Sequence, residues 1–524
     1  MIKRLRELEP VELTAFTNEL KEDILAHVTD KIPHLESSLA VAELTVALHY
    51  LLRTPEDVLI WDVGHQGYVH KALTDRLEDL VTQRTKDGIS GFLKREESPY
   101  DFFGAGHAST SISALAGVCI ADLAAGRNRR RVAVIGDGSM TGGQSFEALN
   151  HLATINTNAL VVLNDNDGSI DPTVGALHQR NQYMKYFHSL GWEYSFLEHG
   201  NNISSLMAYL QSALAGGGKR VLHLRTKKPN LSKKKSYEPG TTFQWWAAEQ
   251  MRVILEKNPE LRIFSPAMFA SSGFGPLRDD FPNQFVDTGI NEPHTVTTAA
   301  AMAAAGGRSW VHIYSTFLQR AVDQIIHDVA LQKLPVVFLV DRAGIAGADG
   351  PTHHGVFDLG FLMDVPHVTV WNPRNGDELQ AMMRRAAEVQ FDLEGPLFIR
   401  YPKDKTVCNS PENFQTLRWL HNQGANELII STGALSTKIT APNSDRLHLG
   451  QVKPLPEELA DHLLGYERIV VVEEGQGVGG LFGAVSHHLS SQNNKATLVS
   501  KKIGDAFVDH GEREDLLKEL GLIP

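Results

Sequence analysis

Cysteine is nearly missing from this chain: Cys119 and Cys408 are the two among 524 residues. Two distant thiols exclude a disulfide framework and a cysteine-rich metal site, and they suit a reducing compartment. No apolar run approaches the roughly 20 residues that a membrane helix needs. The N-terminal stretch MIKRLRELEPVELTAFTNEL is charged throughout and has no apolar signal core. Positive charge is also short, with 50 Lys and Arg against 62 Asp and Glu and a formal net charge of -12. That balance excludes a general binder of nucleic acid or anionic membranes. The local run Lys233-Lys234-Lys235 reads as a solvated loop. A soluble cytoplasmic protein is expected, with neither nucleic acid nor membrane as a partner.

What is present is ordinary for a folded protein, 42% hydrophobic and 21% charged residues, and the length calls for more than one core. Residues 39–52 (LAVAELTVALHYLL) read as a buried helix, followed by a strand at 58–63. The Gly- and Ser-rich turn GAGHASTSIS opens a helix over 111–125, and strand VAVI follows. This β-α-β-α order predicts a mostly parallel sheet covered by helices. A polar stretch from Gly175 to Thr242, ending in KKPNLSKKKSYEPGTT, reads as a loop and a domain boundary. Alternation then resumes with helix 244–256, strand 285–290, an Ala-rich helix at 295–305, strand VHIY, helix 317–332 and strand VVFLV. Beyond RYPK (400–403) come strands ELIIST and RIVVVEE and the turn GQGVGGLFG. Three α/β domains are expected, at 1–242, 243–404 and 405–524.

Two consecutive strands end in polar motifs, VAVIGDG at 132–138 and VVLNDN at 161–166, with a helix-length stretch between. In open parallel sheets, ligands sit outside the carboxyl ends of the strands. A right-handed crossover brings Asp137 and Asn166 to that edge together. Both are hard oxygen donors suited to Mg²⁺ or Ca²⁺. Gly136 and Gly138 allow close backbone approach and expose amide groups to an anion. No G-x-G-x-x-G follows this strand and no G-x-x-x-x-G-K-[ST] loop is present, so the dinucleotide and triphosphate fingerprints are both lacking. A divalent ion bridging a diphosphate fits, although Gly-Asp-Gly alone also suits a plain turn.

The Asp…Asn-Asp-Asn pairing resembles the GDG…N motif by which thiamine-diphosphate enzymes hold their cofactor through Mg²⁺. Further blocks sharpen the resemblance: WDVGHQGYVHK (61–71), GHASTSIS (106–113), IGDGSMTGGQSFEALNH (135–151), NDNDGSI…VGAL, YSTFLQRAVDQIIHDVALQKLPV (314–336), DRAGIAGADGPTHHGVFDL (341–359) and RYPK; VEEGQGVGG matches more loosely. In that order they resemble the 1-deoxy-D-xylulose-5-phosphate synthase family over nearly the whole chain. The resemblance implies a transketolase-like, three-domain α/β architecture of mostly parallel sheets flanked by helices. It implies diphosphate-binding, pyrimidine-binding and C-terminal domains, and a homodimer. It also implies that pyruvate and D-glyceraldehyde 3-phosphate are joined with loss of carbon dioxide, using thiamine diphosphate and Mg²⁺.

By the same resemblance, Asp137, Asn166 and the Gly168 carbonyl ligate Mg²⁺, while Gly138, Ser139 and His65 lie along the diphosphate. Gly106, His107 and Ala108 line the pyrimidine side, and Tyr237 and Phe317 meet the cofactor. Glu292, in GINEPH, matches the glutamate that pairs with the pyrimidine N1′. His34, His353 and Asp349 are candidates for proton transfer and catalysis. Tyr314, Arg320, Arg342 and Arg400 match substrate-channel positions, where arginine suits a phosphate because its planar fork binds two oxygens. Read alone, Glu292 is a turn residue before Pro, His107 a structural histidine, and Arg320 and Arg342 surface or ion-pair charges.

The sequence also departs from the family. Leu177 and Lys227 are only 50 positions apart where the family carries a longer segment, so a region over the active site is largely deleted. The family's Asp-Gly-His-Asp block becomes His199-Gly200-Asn201-Asn202, losing a histidine that faces substrate. Leu231 to Ser236 replace the glycine-rich approach to Tyr237, Asn-Glu-Pro-His surrounds Glu292, and Pro33 and Ala40 stand where the family has glycines. Three readings stand: a compact synthase; a diverged paralogue using another acceptor or a ketose donor; and a catalytically weak, cofactor-binding partner subunit. Isoprenoid, thiamine and pyridoxal precursor supply are all open as the pathway served.

Overall fold

Residues Val132–Ile135 and Leu160–Leu163 are buried along their whole length, the signature of parallel strands covered on both faces. The computed structural model describes residues 1–28, 35–104, 106–166, 174–179, 182–231, 239–409, 412–491 and 494–524, with the side chain of His65 outside the described atoms. The chain divides into two compact units, Met1–Lys235 with Gly289–Asn291, and Ser236–Thr288 with Glu292–Pro524.

The first unit is built on β1 (Val58–Trp61), β2 (Arg131–Gly136), β3 (Ala159–Asp165), β4 (Glu193–Leu197) and β5 (Lys219–Arg225). Their order is β1-β2-β3-β5-β4, with every pairing parallel. The two-residue period of a strand sorts the side chains. Val132, Val134, Leu160 and Val162 pack with helices Leu13–His27, Ala42–Leu51 and Ile203–Ala215. Ala133, Ile135, Val161 and Leu163 face helices Ser111–Ala124, Gly143–Thr154 and Gln182–Ser189 on the other side. Gly136 is in register with Asn164, so Asp137 and Asn166 follow the carboxyl ends of adjacent strands.

The second unit holds two sheets. Seven strands form the larger: β6 (Arg262–Ser265), β7 (Phe285–Asp287), β8 (Ser309–Tyr314), β9 (Val337–Asp341), β10 (Thr369–Trp371), β11 (Leu397–Tyr401) and β15 (Gln451–Lys453). Their order is β15-β10-β11-β9-β8-β6-β7, parallel except for β15. The other contains β12 (Leu417–His421), β13 (Glu427–Thr432), β14 (Asp445–Leu449), β16 (Arg468–Val472) and β17 (Thr497–Lys501), ordered β12-β14-β13-β16-β17 with only β12 antiparallel. One hydrophobic core joins them: Phe338, Val340 and Phe398 belong to the same cluster as Leu428, Ile430 and Leu447. The architecture is α/β, with mostly parallel sheets flanked by helices.

Two local expectations differ from this structure. The stretch 175–242 contains β4, β5 and helices Gln182–Ser189 and Ile203–Ala215. Strand β4 lies at the sheet edge with mostly solvated side chains, and β5 buries only Val221–Leu224, so hydrophobic periodicity is weak there. The helix expected over 317–332 is present from Ser315 to Ala330 but changes pitch, with 3₁₀ geometry at Gln319–Ala321 and π geometry at Ile325–Ala330.

Candidate active site

In the first unit, the β2 and β3 ends gather the polar groups. Asp137 opens the short helix Asp137–Met140 and is buried. Of the Asn164-Asp165-Asn166 triplet, the first two residues are committed to protein partners. Asn164 donates to Gln66 Oε1 at 2.9 Å and accepts from Thr226 Oγ1 at 2.6 Å. Asp165 meets His223 Nε2 at 3.1 Å, and His223 Nδ1 meets the Tyr194 hydroxyl at 2.7 Å. Asn166 differs: its Oδ1 is buried with no hydrogen-bond partner among the described residues. A buried carbonyl left unpaired is costly and demands a partner. A hard cation shared with the Asp137 carboxylate meets that demand with oxygen ligands. Burial above all, helped by Asp137 and Asp165, pushes the Tyr183 phenol well above its ordinary range.

The adjoining turn is held by a residue to which the sequence assigned no role. Asp62, fully buried just after β1, accepts from the Ser109 and Ser111 backbone amides at 2.9 and 3.0 Å. Ser109 has φ of 71° and donates its hydroxyl to the Ser139 carbonyl at 2.7 Å; Ser145 donates to the same carbonyl at 3.0 Å. Asp62 thereby fixes Gly106, His107 and Ala108, which are partly exposed, beside buried Gly138 and Ser139. Asp62 and Gln66 both sit inside WDVGHQ, so their motif was visible although their roles were not. His34, Gly168 and Tyr237 lie outside the described residues, as does the His65 side chain.

The altered 199–202 block acts as a brace. Asn201 Nδ2 donates to the Ala40 carbonyl and the Glu43 carboxylate at 3.0 and 3.1 Å, and its Oδ1 accepts from the Lys227 amide at 2.8 Å. An asparagine supplies both donors and an acceptor for that three-way tie.

In the second unit, Glu292 begins helix Glu292–Ala304 and is 3% exposed. Burial raises its pKa, partly opposed by Arg320, whose Nη1 stands 3.7 Å from Glu292 Oε2. Phe317, one helical turn before Arg320, stacks on Tyr314 with centroids 5.2 Å apart and meets the His353 ring edge-on at 5.6 Å. The Arg342 guanidinium lies 3.7 Å from the Tyr314 ring centroid, a cation–π contact. Arg342 also pairs with Asp341 and donates to the Ser271 carbonyl, while Ser271 Oγ and the Tyr314 hydroxyl are 2.5 Å apart. The fold thus brings Tyr314, Phe317, Arg342 and His353 into one continuous cluster, with Arg320 on the turn after Phe317 facing Glu292 of helix Glu292–Ala304.

Arg400 and Asp349 are placed differently. Arg400 forms a buried fork with Asp358 at 2.6 and 2.8 Å and donates to Asn372 at 3.0 Å. Asp358 also accepts from Ser315 Oγ at 2.8 Å, so Arg400 underpins the residue next to Tyr314. Asp349 forms an ion pair with Lys403 at 2.7 Å.

Comparison with known proteins gives a consistent picture. A family model described as 1-deoxy-D-xylulose-5-phosphate synthase matches residues 1–185, and one for the transketolase pyrimidine binding domain matches 242–407. The 1-deoxy-D-xylulose-5-phosphate synthase of Thioalkalivibrio sulfidiphilus is 38% identical over 99% of this chain and 92% of its own. The enzyme of that name from Buchnera aphidicola is 38% identical over 100% of this chain and 95% of its own. The first alignment spans 595 positions against 524 residues, so at least 71 of its positions have no counterpart in this chain. Among solved structures, a transketolase from Leishmania mexicana is 15% identical, covering 98% of this chain and 96% of its own with a TM-score of 0.47, too distant a likeness to carry an argument.

Proposed function

The chain belongs to the 1-deoxy-D-xylulose-5-phosphate synthase family, and we propose that it joins pyruvate to D-glyceraldehyde 3-phosphate, releasing carbon dioxide and giving 1-deoxy-D-xylulose 5-phosphate. The observation that carries this reading is 38% identity to a synthase of that name along 99% of the chain. Thiamine diphosphate, when bound, supplies the nucleophilic carbon and the electron sink that decarboxylation and carbon–carbon bond formation need.

The first unit would hold the diphosphate end. Asp137, Asn166 and the Gly168 carbonyl would ligate Mg²⁺, with Gly138, Ser139 and His65 along the phosphates; the Asn166 Oδ1, without a partner among the described residues, supports that assignment. Gly106, His107, Ala108 and Tyr237 would line the cofactor, with Asp62 fixing the turn that presents the first three. In the second unit, Glu292 would hold a proton toward the cofactor's pyrimidine nitrogen. Burial favours its neutral form, which can donate a hydrogen bond. Arg320 tempers that shift and keeps the carboxyl oriented.

His34, His353 and Asp349 would serve proton transfer and substrate orientation, and Phe317 would pack against the cofactor. Tyr314, Arg320 and Arg342 would meet the substrates, with Arg400 acting through Asp358 and Ser315. The units 1–242, 243–404 and 405–524 would serve as diphosphate-binding, pyrimidine-binding and C-terminal domains of a cytoplasmic homodimer. Among the described residues no helix is long and apolar enough to cross a membrane.

A second reading, a paralogue with another acceptor or a ketose donor, draws on Asn201, whose amide is spent on Ala40, Glu43 and Lys227. The buried Glu292 argues against a merely cofactor-binding subunit. The test is incubation with pyruvate, thiamine diphosphate and Mg²⁺, with and without D-glyceraldehyde 3-phosphate, the product identified by mass. Deoxyxylulose 5-phosphate is the expected product. Preference for an unphosphorylated acceptor or for a ketose donor would overturn the synthase assignment.

A further inference from the structure

The loop between β9 and Val356 carries Arg342, Asp349 and His353, yet the groups that hold it come from the far C-terminal part of the chain. Its neck is closed by two backbone bonds, Gly344 N to the Gly355 carbonyl at 2.8 Å and Gly355 N to the Gly344 carbonyl at 2.7 Å. Beyond the neck the loop body rests on residues 474 and 509–513. Glu474 Oε2 accepts from the Ile345 amide at 2.8 Å. Arg513 forks onto the same carboxylate at 2.6 Å through both terminal nitrogens, donates to the Ile345 carbonyl, and reaches Asp404 through Nε at 3.1 Å. His354 accepts from the Ala346 amide at 2.9 Å, and its Nε2 lies 3.1 Å from the Asp509 carbonyl as donor.

Close approach explains two glycines. Gly344, at φ of 77°, leaves 2.3 Å between a would-be Cβ and Glu474 Oε2; Gly350, at φ of 75°, leaves 3.1 Å to His510 Cβ. Both also need a left-handed backbone that other residues rarely adopt. Arg513 is 9% exposed and Ile345 fully buried, so this contact is a built seat and not a surface touch.

We propose that Glu474 and Arg513 are positioning residues for the reaction, seating the loop so that Arg342, Asp349 and His353 meet the substrates in a fixed geometry. Neither residue touches the aromatic cluster through any bond given above; both act through the Ile345 backbone. The inference rests on the reading of this loop as the substrate side. Misplacement by about 1 Å costs on the order of 100-fold in rate, so a loosened seat should appear in the kinetics.

The test uses the full-length enzyme with cofactor and Mg²⁺, in the variants Arg513→Ala, Glu474→Ala and Glu474→Gln. For Arg513→Ala and Glu474→Ala, the expected result is a KM for D-glyceraldehyde 3-phosphate raised about 10-fold and kcat lowered 10- to 100-fold. The apparent thiamine diphosphate affinity should stay within about 2-fold of wild type. Glu474→Gln keeps an oxygen for the Ile345 amide and should fall between Glu474→Ala and wild type. Hydrogen exchange should quicken in 342–355 and stay unchanged in 131–165. A proportional loss of every parameter, or unchanged KM and kcat, would overturn the proposal. If wild type prefers another acceptor, the synthase assignment fails first; the same KM and kcat comparison on that acceptor then supports or overturns the seat.

Discussion

The Asp137–Asn166 cluster of the first unit and the Tyr314–Arg342 cluster of the second are assembled in opposite ways. The first comes from one crossover, since Asp137 and Asn166 end adjacent strands joined by a single helical connection. Its supports are amides, hydroxyls and two buried carboxylates, Asp62, which accepts from two backbone amides, and Asp165, which meets His223. The second gathers Glu292, Tyr314, Phe317, Arg320, Arg342 and His353 from separate segments, and fixes them with ion pairs such as Arg400–Asp358 and Arg513–Glu474. A buried pair of this kind is strongly destabilising to break, because it strands a charge. The first cluster is therefore held largely by amides and hydroxyls, some of them distant in sequence such as Gln66 on Asn164, while the second depends on buried ion pairs.

The comparison breaks most sharply at Glu292. Glu292→Ala should lower turnover by roughly 10²–10⁴-fold, the scale of lost general acid–base help, in a steady-state assay of product formation. Loss of less than about 10-fold would place the proton-handling role elsewhere. Next in size is Asp62→Ala. Two buried amides lose a charged acceptor, so unfolding in denaturant should show a loss of about 2–4 kcal/mol. Asp62→Asn, which still accepts from one amide, should lose less.

The smallest effect is a pH dependence in the first unit. His49, His70 and Asp101 form a buried chain, with His49 Nε2 to His70 Nδ1 at 2.9 Å and His70 Nε2 to Asp101 at 3.1 Å. Burial, with the neighbouring His70 and Arg6, holds His49 well below its ordinary value of 6.5. The folded state therefore resists a proton that the unfolded chain accepts, so stability is present above about pH 6.5 and is lost as pH falls below it. Thermal melts between pH 5 and 8 should show His49→Gln losing less stability on acidification than wild type; parallel curves would contradict this.

The two regions also differed in how legible they were. Asp137 and Asn166 stood out because strand ends and hard donors are local signals. Which member of the Asn164-Asp165-Asn166 triplet is left for a ligand emerged only from the pairing of Asn164 with Gln66 and Thr226, and of Asp165 with His223. Strand β4 was hidden in the polar stretch because an edge strand with solvated faces carries little alternation, and the interior strand β5 because its buried run Val221–Leu224 is short and interrupted by His223. In the second unit, residue roles came through resemblance and not through pattern. No spacing rule links Ile345 to Glu474 and Arg513, which lie 129 and 168 positions away.

The most direct measurement is a calorimetric titration of thiamine diphosphate, with Mg²⁺ present, into wild type, Asp137→Ala and Glu292→Ala side by side. Losing a carboxylate ligand should exceed the 10- to 100-fold cost typical of removing an outer-shell partner, so Asp137→Ala should lose more than about 100-fold in affinity. Glu292→Ala should remain within about 10-fold of wild type despite its lost turnover. Equal loss of binding in both variants would contradict a first unit that grips the cofactor and a second that drives its chemistry.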